Sequence, residues 1–445
     1  MGNFNDTIAN AIIGIDTIWG GDVLNPSGTG RFIADSWFSG LPLPPAYASA
    51  TAGPVRAAGG VSAKKPNHEA IDRYVEAIGL PKALSDFKML AAEQKGRRGV
   101  YLVGLAECLE VMWDLALELL GRREPVAYER CVAASTGRPP EPSDPTPKRE
   151  LLLARLKESG YSVSSEEDLL EAVDKWRGER LVPSASIPAV AGAVIAEFHV
   201  LTSRNMMLYL PSDLSEVPRS NIRFMPIRDA WFSGSMNYLG RARTPEGKPQ
   251  FEATYEINAS LQISVPEFQQ LISHEVEPGH VTTFAFLQAL YEEGKIGFEG
   301  TVQTMNTRAA ALSEGIANNA VLMAHGVKEI DELPDRDLQI GVLLALLQDD
   351  AKNQSSYLTW KEGWPQERVA AALRTGFLVS AERADKLSGA WGRHPLLGRM
   401  YLPAYRAGTE LVAELRRTHP PQAVLPALYG CTGLVDVVTI REAVG

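Results

Sequence analysis

Only seven histidines occur in the 445 residues, and two of them flank a carboxylate in the run Ser273-His274-Glu275-Val276-Glu277-Pro278-Gly279-His280. Imidazoles and carboxylates are the donors of catalytic zinc sites, in which three protein ligands leave a fourth position open for water or substrate. In the familiar helix-borne motif two histidines stand four apart on one face, and the intervening Glu acts as general base. Here the spacing is six. On an unbroken helix six residues turn through about 600° and rise about 9 Å, which is too far for two ligands at about 2.0–2.1 Å from one ion. Pro278 removes a backbone donor and clashes with the carbonyl of His274 four residues back, and Gly279 accepts backbone angles that other residues resist. A two-residue bulge at Pro278-Gly279 therefore returns His280 to the face of His274.

Two histidines leave zinc one protein ligand short. Glu314 is the best candidate for the third. It lies in a helical pattern with an apolar stripe at Val302, Met305, Ala309, Leu312 and Ile316 and a second, small-residue face at Ala310, Ala317 and Val321. Such a helix is buried nearly all round, and a carboxylate between alanines lets two helices approach closely enough to share an ion. The alternative is a structural Glu paired with an arginine such as Arg308. The other histidines, His68, His199, His325 and His419, have no partner at ligand spacing.

The run His274-Glu275-x-x-Pro278-Gly279-His280, with Glu314-Gly315 following 34 residues later, resembles the signature of domain of unknown function 885, a bacterial family regarded as zinc peptidases. The stretch from about Phe251 to Asn319 carries the resemblance, and Pro403-x-Tyr405-x-x-Gly408 resembles a further pattern of that family. The resemblance implies a mainly α, gluzincin-like hydrolase with His274, His280 and Glu314 on one zinc per chain and Glu275 activating water. The chain departs from the pattern at Val281, where many members carry a second histidine, and at Ile316, where they carry an aromatic residue. It is also short for the family. These departures bear on the substrate more than on the metal.

The elements that must position these groups have local signals. Ser264 and Glu267 form a capping box, Pro266 sits in the first turn, and Phe268, Leu271 and Ile272 recur at helical spacing. Glu275 falls seven residues after Phe268, inside the apolar stripe, where a carboxylate is costly unless a metal, a charge or a substrate compensates it. Residues 251–260 alternate apolar and polar like a strand, and Met236 to Arg243 can pair with them through a turn at Thr244-Pro245-Glu246-Gly247. An edge strand leading into the zinc helix could hold an extended substrate backbone by strand addition; a hairpin that simply covers the core is the other reading. Downstream, Tyr405 could donate to a developing oxyanion, Arg406 or Arg399 could pair with a substrate carboxylate, and His394 could serve likewise.

Further helices are expected near 83–95, 99–121, 148–159, 165–177 (opened by Ser164 and Glu167), 188–207, 264–277, 280–294, 300–328, 335–350, 365–374, 380–390 and 398–416. Residues 1–70 read as an irregular segment anchored by Trp19, Trp37 and Phe38, and 136–147 as a Pro-rich loop. Together these suggest two helical lobes, 1–210 and 211–445, with a small β-hairpin beside the zinc helix and a cleft between the lobes. With 45% hydrophobic and 22% charged residues, the chain has the composition of an ordinary globular protein.

A net charge of −10, with no Gly-rich phosphate loop, argues against nucleic acid as a partner. No apolar run reaches the roughly 18 residues of a membrane span, and the opening Met1-Gly2-Asn3-Phe4-Asn5-Asp6 is acidic where a secretory signal is basic. Three scattered cysteines point to a reducing compartment without disulfides, so the expected location is the cytoplasm. The expected function is hydrolysis of a peptide or small amide by zinc-activated water. A zinc enzyme acting on another biosynthetic intermediate and a non-catalytic binding or scaffold protein are the rivals. The oligomeric state is not encoded in any feature of the sequence.

Overall fold

The computed structural model describes residues 4–25, 33–227, 234–258 and 262–445. The chain is mainly α, with five short strands among the described residues: β1 (Ala34–Trp37), β2 (Ile222–Ile227), β3 (Gly234–Tyr238), β4 (Ala253–Asn258) and β5 (Val302–Thr304). The N-terminal segment, expected to be irregular, instead forms the helix Phe4–Trp19. Gly14 and Asp16 interrupt its apolar run but not its helix. Asp16 is 1% exposed, and its Oδ1 accepts a hydrogen bond from the Ala34 amide at 2.9 Å. Ile8, Ile12, Ile15 and Trp19 are fully buried against Phe87, Leu102, Leu109 and Met112.

The expected hairpin is present, with Met236 opposite Tyr255 and Tyr238 opposite Ala253 and a turn in which the Gly247 amide donates to the Thr244 carbonyl. The strand order β2-β4-β3 changes its meaning, however. β4 is central, parallel to β2 and antiparallel to β3, so the 251–260 segment is not a free edge. The segment that takes its other side, Ile222–Ile227, lies in a proline-containing stretch without a clean alternation, which is why it reads as irregular from sequence. Ala259 and Ser260 of the alternation lie outside the described residues. Tyr255 and Ile257 on β4 pack against Phe268 and Ile272 of the helix Val265–Glu275, and β3 is left as the edge of the sheet.

Helix signals hold with local shifts. Ser264 caps Val265–Glu275, accepting from the Glu267 amide and donating to its Oε2 at 2.7 Å. The helix Glu166–Gly178 is capped by Ser165 with Asp168, one residue later than Ser164 with Glu167. The helix Arg308–His325 starts at the Thr307 cap because the expected first residues form β5 instead. By length and composition alone, Ser184–Tyr209 is long and apolar enough to cross a membrane, against the expectation of no such run. In the fold its Ala191, Val194 and Phe198 join the core beneath Phe268 and Ile272.

The hydrophobic clusters cross the expected boundary at 210. The cluster of residues 8–134 includes Phe298, Val302, Leu396 and Met400, and Leu152, Leu156 and Trp176 pack with Ile340, Leu343 and Leu347. The helices Arg308–His325 and Leu402–Thr418 meet backbone to backbone. A Cβ on Gly315 would lie 2.3 Å from the Gly408 carbonyl oxygen, and one on Gly408 would lie 1.7 Å from that of Ala311. Gly408→Ala is therefore expected to cost at least the ~1–3 kcal/mol typical of overpacking. Thermal unfolding checks this, and an unchanged Tm would contradict the close crossing.

Candidate metal centre

The two histidines come together through a break between helices rather than a bulge within one. His274 is the penultimate residue of Val265–Glu275, and His280 opens His280–Glu292. At the break the Gly279 amide donates to the Ser273 carbonyl at 2.9 Å, and a Cβ on Gly279 would stand 1.8 Å from the His274 carbonyl oxygen. The intervening loop is held from outside. Fully buried Glu277 accepts from Arg219 Nε at 2.8 Å and lies 3.2 Å from His199 Nδ1, and the Tyr429 hydroxyl donates to the Pro278 carbonyl at 2.7 Å. The imidazoles end 4.8 Å apart between ring centres and perpendicular.

Their outer nitrogens are committed. His274 Nδ1 is 2.8 Å from Asn318 Oδ1, and His280 Nδ1 is 3.1 Å from Ser313 Oγ. An amide oxygen only accepts, so His274 carries its proton on Nδ1 and presents a lone pair at Nε2. Nε2 of His274 lies 3.4 Å from Glu314 Oε2, and Nε2 of His280 lies 3.8 Å from Glu314 Oε1. Glu314 Oε1 also accepts from the Tyr401 hydroxyl at 2.5 Å, whereas Oε2 is buried without a hydrogen-bond partner. Arg308 pairs instead with Glu107.

The three ligand atoms lie within 4.8 Å of one another. Ligands about 2.0–2.1 Å from one tetrahedral ion stand about 3.3 Å apart, so the cluster fits a metal with little movement. A buried carboxylate with one oxygen lacking a donor, set against two neutral imidazoles, is the arrangement a cation would complete.

The electrostatics agree. Burial holds His274 well below the usual imidazole range and pushes His280 down to about 4, so both are neutral, which is the ligating form. Burial raises Glu314 to about 7, against the nearby Lys352 ammonium. Burial, then the Glu314 charge, raises Glu275 to about 8, and a hydrogen bond from the Met236 backbone partly offsets them. A metal must displace the Glu314 proton below pH 7. Its apparent affinity is therefore expected to fall about tenfold per pH unit below that point and to level off above it. Chelator competition at several pH values checks this; an affinity flat from pH 5.5 to 8 would rule out Glu314 as a ligand.

A cavity of about 200 Å³ opens beside the cluster, lined by Tyr101, Leu105, Met236, Phe284, Leu402 and Tyr405 among others, with Asp35 from β1. A second, more polar chamber shares His274, Glu275 and Tyr405 with it. Tyr405 therefore stands at the site as expected, with the Lys352 Nζ 3.3 Å above its ring. Arg406 and His394 do not line either chamber. Arg406, about 100° round the helix from Tyr405, turns to Glu410 at 2.6 Å and to the Pro142 carbonyl. His394 Nδ1 receives the Leu396 and Leu397 amides, shaping a turn. Arg399 is 2% exposed and holds Glu118.

Sequence reasoning missed Asp35, Ser313, Asn318, Lys352 and Tyr401. Ser313 and Asn318 stand one before and four after Glu314 on the same helix, a spacing that could have marked them. The others reach the site only through tertiary packing. Tyr401→Phe removes the single donor to Glu314 and is expected to weaken metal binding by about 10–100-fold, the usual effect of an outer-shell change. Titration against a chromophoric chelator reads this, and an unchanged affinity would deny Tyr401 that part.

No family model matches the chain, and no curated protein matches it. Solved structures of similar fold exist. One, described as a "putative lipoprotein" from Colwellia psychrerythraea, has a TM-score of 0.51 at 12% identity over 84% of this chain and 69% of that one. Another, a "putative lipoprotein of unknown function" from Shewanella oneidensis, has a TM-score of 0.47 at 14% identity over 87% and 75%. At such identity the first establishes a shared fold and nothing of activity.

Proposed function

We propose that this chain is a zinc-dependent hydrolase of peptide or amide bonds. One observation carries the reading: two imidazole Nε2 atoms converge on the buried Glu314 carboxylate, one of whose oxygens has no hydrogen-bond partner, with Glu275 beside them on the cavity wall. Two histidines and a carboxylate form a common set for catalytic zinc, which when bound polarises a carbonyl and acidifies water to a pKa of about 7. Glu275, with a proton affinity raised to about 8, is suited to take a proton from the attacking water and to deliver it to the leaving nitrogen. Tyr405 lines the same cavity, and its hydroxyl can donate to the developing oxyanion.

Substrate placement falls to β3. Gly234, Ser235 and Met236 line the cavity, and β3 is an edge of its sheet, so an extended peptide can pair with it by strand addition. This gives β3 the part that the alternation at 251–260 suggested for β4. The modest cavity favours short substrates, which keeps a small amide as the second reading. The free thiols of Cys108, Cys131 and Cys431 support a reducing compartment, and we propose the cytoplasm on that ground; the description of the structural neighbours as lipoproteins belongs to those proteins.

The test is elemental analysis of protein purified without chelator or histidine tag, followed by a screen of N-acylated dipeptides, longer peptides and simple amides. About one zinc per chain with hydrolysis of any of these supports the reading. A folded protein that neither holds nor takes up zinc would overturn it in favour of a binding or scaffold role.

A further inference from the structure

The second chamber, which shares His274, Glu275 and Tyr405 with the cavity, is richer in cations than the acidic chain as a whole. Arg177, Lys352, Arg383 and Lys386 line it. Its carboxylates are Glu267, Glu275, Asp349 and Glu382, so four cations match four carboxylates there, in a chain that carries a net charge of −10. The outer pairs are conventional: Arg177 with Glu267 at 2.9 Å and Lys386 with Glu382 at 2.6 Å.

Lys352 is different. It is 8% exposed, and its Nζ donates to Asp349 at 2.8 Å while lying 3.3 Å above the Tyr405 ring. An ammonium has three donors, and its charge is felt at His274, Glu275, His280 and Glu314. Arg383 stands within electrostatic reach of the same Tyr405 and Asp349. Asp349 compensates the buried Lys352 charge through one of its donors, and the ammonium's place beside a general base and an aromatic ring in a chamber wall suits a ligand carboxylate at another. The first cavity, which shares Glu275 with this chamber, is mainly apolar, with Leu105, Met236 and Phe284 in its wall.

We propose that Lys352 and Arg383 form a carboxylate-recognising subsite, so that the preferred substrate carries an apolar group on one side of the scissile bond and a carboxylate on the other. The proposal rests on the hydrolase reading for the words "scissile bond", but the subsite itself is a binding property. The carboxylate is either the α-carboxylate of a C-terminal residue or an acidic side chain. The two differ in where the peptide chain continues.

The experiment is calorimetric binding to the zinc-loaded, full-length Glu275→Gln protein. Acetyl-Phe-Ala is compared with its C-terminal amide, and acetyl-Phe-Glu-amide with acetyl-Phe-Gln-amide. At least tenfold tighter binding of one acid over its neutral partner is expected, and which pair shows it identifies the source of the carboxylate. Lys352→Met is expected to bring that preference within twofold. Arg383→Gln, which leaves the Asp349–Lys352 pair intact, should reduce it, and Lys352→Arg should restore much of it. Equal binding of acid and neutral forms, no binding of any probe, or a preference that survives both Lys352→Met and Arg383→Gln would overturn the subsite. A carboxylate preference in a protein that, with Glu275 intact, hydrolyses none of the probes would sink the hydrolase reading and leave the subsite standing. Hydrolysis without preference would do the reverse.

Discussion

Glu275→Gln is expected to keep about one zinc per chain and to lose turnover by two to four orders of magnitude, the range that a positioned general base contributes. Glu275 is not one of the three converging ligand residues, so its amide analogue leaves the cluster's donors in place. It is part-buried on the cavity wall, where burial and the Glu314 charge raise its proton affinity. Gln has nearly the same volume and cannot take a proton from water. The measurement is kcat beside metal content in the same preparation. Undiminished kcat would remove Glu275 from the mechanism, whereas loss of metal would show it to be a ligand and not a base.

His280→Ala should have the largest effect on the metal itself. The ring contributes one of three ligand atoms, and its loss leaves His274 Nε2 and Glu314 3.4 Å apart with no third protein donor in the cluster. The affinity loss should exceed the ~10–100-fold that outer-shell changes cost, so that zinc is absent after gel filtration. His280 packs 5.9 Å from the Phe284 ring centre and opens a helix, so a folded control is needed: His280→Gln keeps a polar side chain of similar reach and should likewise lose the ion. Retention of one zinc by both variants would place the metal, if any, elsewhere.

Much of the site was legible from residue types. The rarity of histidine, the Pro278-Gly279 break and Glu314 among alanines were visible together, and these residues now stand within one cluster. The mechanism of approach was only partly legible. A bulge in one helix was the natural expectation, whereas the structure ends one helix at Glu275 and begins another at His280. That break depends on Arg219 and Tyr429, which hold Glu277 and the Pro278 carbonyl from 58 and 151 residues away. The downstream candidates show the same limit. Tyr405, Arg406 and His394 lie within twelve residues of one another, yet only Tyr405 faces the cavity, because helical rotation carries Arg406 to Glu410 and the turn after His394 uses its ring locally.

What the sequence by itself determined is the chemistry available and the local elements that carry it: a mainly α chain, the Ser264 cap, the alternating strand at 253–258, and the histidines and carboxylates at spacings that a helix break can reconcile. Those follow from short-range rules of dihedral preference, capping and periodicity. Tertiary structure alone decided which strand is the edge, which helices touch at Gly315 and Gly408, and that Tyr401 and Asp35 come to the cavity, and Lys352 to the chamber beside it, from remote segments. The physical reason is that burial and pairing are properties of the packed whole. A side chain's neighbours, and with them its proton affinity and its fitness as a ligand, are fixed only when elements distant in sequence exclude water from one another.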